Sequence, residues 1–192
     1  MKDYFIKDIS AETKFEPIER RNGVYVATFL LSETEDTRRI ATARYSSKPT
    51  EEQVQTDFAE WKKRYGELLL NAAKQRKLDE ITEYNDSDNV NGFFINGAKV
   101  WVDAETRVKG VNGAKAKQTL GATTMSQWLG GQEFTLSPNM AVMLYAQIES
   151  YALDCQNVTE AHKAAVLALT SLEEVENYDV TKGYPDMLSF TI

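Results

Sequence analysis

The chain has 192 residues, of which 42% are hydrophobic and 10% aromatic, enough to build one folded domain or two small ones and unlike a disordered tail. Lys and Arg number 22 against 29 Asp and Glu, a net charge of −7, and the imbalance is uneven: residues 1–48 hold 9 basic and 8 acidic groups, and 13 and 21 follow. An acidic C-terminal three-quarters argues against a nucleic-acid backbone as the main partner, because that contact relies on clustered Lys and Arg.

At the N-terminus MKDYFIKDIS interleaves charged with apolar residues, so it lacks the uninterrupted core of a signal peptide. No stretch approaches the roughly 18 apolar residues of a membrane span. A soluble, non-secreted protein with no membrane partner is expected. The first 48 residues read as strands: FEPIER (15–20), Asn22-Gly23, VYVATFLLSE (24–33), the polar turn TEDT (34–37) and RRIATARYS (38–46). Asn-Gly between apolar runs signals a tight hairpin, because both residues tolerate positive φ. The expectation is a small antiparallel sheet whose VATFLL segment, apolar on both faces, is covered twice.

The period then changes. Thr50 followed by Glu51, Glu52 and Gln53 is an N-cap with a capping-box partner three residues on. A helix is predicted from about 51 to about 81. Its residues Val54, Phe58, Trp61, Tyr65, Leu68 and Ala72 fall at alternating gaps of four and three, on one stripe. That stripe either packs on the chain's own core or forms a short coiled-coil seam between copies.

The polar run EYNDSDNVNG after Thr82 reads as a linker into a second module. There Asn96-Gly97 lies between GFFI and AKVWVD, which the sequence marks as another hairpin. Neither GxGxxG nor GxxxxGK[ST] is present to make it a phosphate cradle. Asp103 is the expected N-cap of a helix over 104–119, weakened by Gly110 and Gly113. TTMSQWL (123–129) and QEFTLS (132–137) flank Gly130-Gly131 as a further hairpin. Ser137-Pro138 starts a helix to about 155, Thr159 caps another to about 169, and Ser171 to Glu174 is a capping box for a short helix to about 177. MLSFTI closes the chain as a candidate edge strand.

The fold expected is therefore α+β, in three parts: an antiparallel β region over 1–48, a long amphipathic helix or linker over 49–82, and a hairpin-plus-helices module over 83–192. There is no internal repeat of fixed period.

Chemistry is sparsely marked. His162 is the single histidine and follows the cap Thr159 by three residues, so a local hydrogen bond is its expected role. Cys155 is the single cysteine; it has no disulfide partner within the chain, suits a reducing cytoplasm, and sits on the apolar helix face as an inert thiol. Asp86/Asp88, Asp103/Glu105 and Glu173/Glu174 stand where turns and caps want carboxylates. The Asp/Asn-rich EYNDSDNVNG does not meet the calcium-loop pattern. With no G-x-S-x-G, H-E-x-x-H, P-loop or CxxC, the chain is expected not to be an enzyme and to need no cofactor or metal.

WVDAETR (101–107), the Trp-bearing hairpin, ESYALDCQNVTEAHKAAVLAL (149–169) and LTSLEEVENYDVTKGYP (169–185) resemble an uncharacterised phage and prophage family over about 80–192. It is a domain of unknown function encoded among tail and tail-fibre genes. The resemblance implies a non-enzymatic tail-associated protein that binds a tail or fibre protein as an assembly factor or adaptor, in the bacterial host cytoplasm during assembly or within the virion tail. A homo-oligomeric virion part, with the chain as its own partner, and an unrecognised enzyme are the alternatives. No catalytic residue is implied. Trp101, Asp103, Arg107, Trp128, Tyr184 and Pro185 stand out as determinants of the scaffold, and Arg107 is expected to pair with an acidic neighbour.

Overall fold

Alternating charged and apolar residues near the N-terminus are also the pattern of a half-buried strand. Phe5–Ser10 forms β1, an element outside the sequence expectation, which starts the sheet at Phe15. A computed structural model describes residues 2–192. Beyond β1 the first strands are β2 (Ile18–Arg21), β3 (Val24–Glu33) and β4 (Thr37–Tyr45), in one antiparallel sheet of order β1-β4-β3-β2. Phe15–Pro17 lie outside β2, in the 11–17 connection that carries the chain from one edge strand to the other. Asn22 and Gly23 take φ of 49° and 84°, the left-handed pair that a two-residue hairpin requires.

The long helix α1 (Glu51–Asn85) starts where the sequence places it, with the Thr50 hydroxyl accepting from the Gln53 amide at 3.1 Å. It ends four residues later than expected, so Thr82 to Asn85 belong to the helix and the linker shortens. The chain divides into two compact units inside α1, one ending at Asn71 and one running from Ala72 to Ile192.

In the first unit, Tyr4, Tyr25, Ala27, Phe29, Ala41, Ala43 and Tyr45 pack with Val54, Phe58, Trp61 and Tyr65 of α1. Small alanines at the sheet centre let the helix approach. Within the first unit the opposite sheet face has no helix on it, which corrects the expectation of a strand covered twice.

In the second unit, β5 (Phe93–Ile95) and β6 (Ala98–Val100) form the hairpin around Asn96-Gly97, at φ 49° and 81°, and β9 (Ser189–Phe190) joins β5 in parallel as an edge strand. Helix α2 (Ala104–Thr119) runs unbroken through Gly110 and Gly113, and β7 (Met125–Leu129) pairs with β8 (Gln132–Leu136). Ser137 then caps α3 (Pro138–Ala168).

The sequence predicts two helices where α3 is one. Thr159 does not cap; its hydroxyl returns to the Cys155 carbonyl at 3.0 Å, a bond compatible with an uninterrupted helix. A short helix α4 (Leu172–Glu176) follows with the predicted capping box. The core joins Phe93, Ile95 and Val100 to Leu129, Phe134, Leu144, Tyr145 and Ile148, while Ile81, Val166 and Val180 pack a second cluster. Lys74 Nζ donates to the Leu167 carbonyl at 2.6 Å, satisfying an end carbonyl of α3. No helix among the described residues is long and apolar enough to cross a membrane.

Candidate functional site

In the second unit the path from β6 into α2 sets a cluster of bonded polar side chains. Asp103 has extended φ and ψ and caps α2, its carboxylate accepting from the Thr106 amide and hydroxyl, both at 2.8 Å. Those bonds hold its carboxyl below the usual range. One turn on, Arg107 is only 7% exposed. Its Nε donates to Glu149 Oε2 at 2.6 Å and its Nη1 to the Val102 carbonyl at 2.8 Å, and the guanidinium lies 5.4 Å from the Trp101 ring centre. The expected acidic neighbour is thus Glu149, from α3.

Arg107, Glu149, Trp101, Asn85 and Thr159 are among the residues that line a polar cleft of about 350 Å³. Deeper in the same region the Thr159 hydroxyl meets Asn85 Oδ1, the Cys155 carbonyl and the Tyr184 hydroxyl at 2.8, 3.0 and 2.8 Å. The Tyr184 ring stacks on His162 at 5.8 Å. His162 Nε2 faces the Lys182 carbonyl at 2.7 Å, so that nitrogen carries the proton, and Nδ1 at 2.8 Å accepts from the Tyr178 hydroxyl in the neutral ring. Burial pushes the Cys155 thiol up, away from the reactive thiolate. Chemically the cluster ties the end of α1, the β6–α2 junction, the middle of α3 and the closing segment to one another.

Trp101, Asp103, Arg107 and Tyr184 therefore meet in one region, with Pro185 following Tyr184 as a half-buried residue. Trp128 does not join them: it stands on β7 opposite Glu133, 64% exposed. Sequence reasoning missed Asn85, Glu149 and Tyr178 as partners, and gave His162 a first-turn position it does not have. A signal was present: Tyr151, Cys155, Thr159, His162 and Val166, all buried, are spaced by four, four, three and four and continue one helical face across the expected break. Among the described residues no three of His, Cys, Asp or Glu gather as a metal-ligand set.

In the first unit the stripe residues have internal partners. Phe58 stacks on Phe29 with ring centres 3.8 Å apart and planes 3° from parallel, and Trp61 stacks on Tyr65 at 5.1 Å. Tyr4 stands edge-on to both Phe29 and Phe58, and its hydroxyl lies 3.1 Å from that of Tyr45, which donates to Asp57 at 2.9 Å. Val54 and Trp61 are buried, whereas Leu68 is 61% exposed. A seam between copies using Phe58 and Trp61 would have to peel α1 from the sheet.

The other sheet face is a concavity of about 650 Å³. Register fixes its members: Phe5 stands opposite Thr42, Lys7 opposite Ile40, Val26 opposite Arg44, and Arg21 opposite Val24. Ile40 forms a buried floor, Phe5 is 70% exposed, and Thr13 and Phe15 of the 11–17 strap close one end. The strap is pinned by Arg38 Nη1, which donates to the Thr13 carbonyl at 3.2 Å, and by the Thr28 amide, which donates to the Pro17 carbonyl at 2.9 Å.

Residues 72–182 match the family described as a domain of unknown function, DUF4376, and the chain belongs to that family. The match opens at the residue where the second compact unit begins and stops before Tyr184. Neither a curated protein nor a solved structure matches the chain.

Proposed function

We propose that this protein is a non-enzymatic phage or prophage tail-associated protein that acts as a tail-fibre assembly factor or adaptor, with residues 72–182 as a family body and the first unit as the partner-binding part. The single observation that carries the reading is the open face of the N-terminal sheet. A sheet apolar on both faces, with a helix on only one, leaves the concavity around Phe5, Val26 and Ile40 to be filled by something else. The tail context comes from the resemblance of 101–107, 149–169 and 169–185 to genes of that setting. Arg107, Thr159 and His162 support a holding role, since each of them bonds to a backbone carbonyl. The partner is a tail or fibre protein, met in the host cytoplasm during assembly, with retention in the virion tail as the alternative.

The test is the solution mass of the purified full chain by light scattering, over a dilution series and then with the tail-fibre protein encoded beside it. A mass that shifts only on adding the tail protein is the expected result. No shift, together with absence from purified tail complexes, overturns the proposal. A constant oligomer would instead favour a structural virion part.

A further inference from the structure

The cations over the open sheet face are distributed in a way that apolar exposure alone would not produce. Lys7 on β1, Arg21 on β2 and Arg44 on β4 line the concavity, and no carboxylate lines it. Two nearby arginines are already occupied: Arg21 pairs with Glu19, and Arg38 with Glu33 at 2.6 Å. Lys7 and Arg44 have neither an ion pair nor a hydrogen bond to any described residue, and both are exposed. Residues 1–48 hold 9 basic and 8 acidic groups, close to balance, so two unmatched cations flanking the hollow leave this face locally positive.

Their spacing is defined by register. Lys7 stands opposite Ile40, and Arg44 lies four residues further along β4, so the two cations are about 13 Å apart along the strand direction. Between them lie Phe5 and Thr42, opposite one another, and Thr28 opposite Thr42 on β3. In an extended peptide, residues i, i+2 and i+4 face the same side, and i to i+4 covers the same distance of about 13 Å. A segment with carboxylates at i and i+4 and a bulky apolar side chain at i+2 matches both charges and the hollow at once. Two cations and an apolar lining are a poor match for a nucleic-acid backbone, which needs a row of phosphate contacts.

We infer that the open face of the N-terminal sheet docks an extended acidic segment of the partner protein, of pattern Glu-x-Phe-x-Glu or its aliphatic equivalent, with its carboxylates on Lys7 and Arg44 and its central side chain over Phe5 and Thr42. This rests on the adaptor reading and specifies the partner's chemistry.

The experiment uses the full chain and a fluorescein-labelled peptide, Ser-Glu-Thr-Phe-Thr-Glu-Ser, read by fluorescence anisotropy at low salt. Its Gln-for-Glu counterpart and a Lys-for-Glu counterpart are the controls. The expected result is binding of the Glu peptide, weakened several-fold by 0.5 M salt and at least about fivefold by the Gln exchange. The double variant Lys7→Glu with Arg44→Glu, at exposed positions, should lose the Glu peptide and gain the Lys peptide, with an unchanged circular-dichroism spectrum and melting temperature. Phe5→Ser should weaken the Glu peptide without altering its salt dependence. Failure of the Glu peptide to bind, or binding indifferent to charge reversal, overturns the inference; so does a wild-type dimer that the double variant dissociates, because a second copy would then occupy the face. The two proposals separate in the light-scattering assay: a double variant that still shifts mass with the tail protein leaves the adaptor standing and removes this site, whereas a wild-type chain that never shifts removes the adaptor itself.

Discussion

The ring of Tyr145 on α3 lies directly on Gly110 of α2, so close that a Cβ at position 110 would fall 2.2 Å from Tyr145 Cζ. The contact explains why a helix interior carries a residue of poor helix propensity: the glycine is the groove that admits the ring. Three residues on, Gly113 faces open space. Gly110→Ala should therefore destabilise the second unit by about 2 kcal/mol, because overpacking outweighs a propensity gain of about 1 kcal/mol. Gly113→Ala should stabilise it by roughly 0.5–1 kcal/mol. Chemical denaturation of the two variants checks the pair, and equal effects of one sign would contradict the packing argument.

The same tyrosine makes a prediction about alkali. Burial pushes the Tyr145 hydroxyl up to about 12, and that hydroxyl has no hydrogen-bond partner among the described residues. Because the folded value lies above the unfolded value of about 10, the folded chain keeps a proton that the unfolded chain releases. Stability is thus intact below pH 10 and falls as pH rises toward 12. Tyr145→Phe should raise stability by about 1 kcal/mol at pH 7, by removing a buried hydroxyl, and should reduce the loss between pH 10 and 12, part of which stays with Tyr4, Tyr151 and Tyr184, also raised by burial. Denaturation midpoints at pH 7, 9, 10 and 11 measure both effects.

Arg107 and Glu149 form one ion pair with unequal stakes. Arg107 is buried and also serves the Val102 carbonyl, while Glu149 is 61% exposed on its side chain. Arg107→Met should cost about 2–3 kcal/mol, since it leaves a buried carbonyl without its charged donor. Glu149→Gln should cost under about 1 kcal/mol, because solvent screens an exposed carboxylate. Similar losses from both, by urea titration, would mean that the ion pair and not the carbonyl bond holds the junction.

His162 fastens the closing segment to α3. His162→Phe preserves a ring to stack on Tyr184 but removes the bonds to Tyr178 and the Lys182 carbonyl. The expected cost is about 2 kcal/mol, with faster amide exchange after residue 178 and quicker labelling of the Cys155 thiol, which packs in one cluster with Tyr184. Unchanged exchange in that segment would show that Val175 and Val180 hold it without the histidine.

Much of the second unit was legible because its signals are short-range. Asp103, Ser137 and Ser171 cap their helices where the sequence marks them, each bonding an amide three residues away. The Asn96-Gly97 pair is a turn and not a phosphate cradle, with both residues at positive φ as the hairpin requires. Thr159 was misread for the same reason that the caps were read correctly: a threonine between helical patterns offers a hydroxyl, and whether it bonds forward to an amide or back to the Cys155 carbonyl depends on what surrounds it. Here Asn85, from α1, and Tyr184, from the closing segment, surround it.

The sequence by itself determined the Asn-Gly turns, the helix starts after Thr50, Asp103, Ser137 and Ser171, and the α+β class, because a cap or a two-residue hairpin completes its hydrogen bonds within about four residues and left-handed φ is favoured by Asn and Gly wherever they stand. Tertiary structure decided what those elements are for. Asn96 makes its turn locally, yet its side chain also accepts from the Ile192 amide at 3.0 Å, ninety-six positions away, and so clamps the C-terminal strand. Which apolar face of the N-terminal sheet meets α1, and which stays open with Lys7 and Arg44 unmatched, was likewise outside the sequence's reach. Alternation assigns residues to two faces, but only the packing of a distant helix says which face is filled.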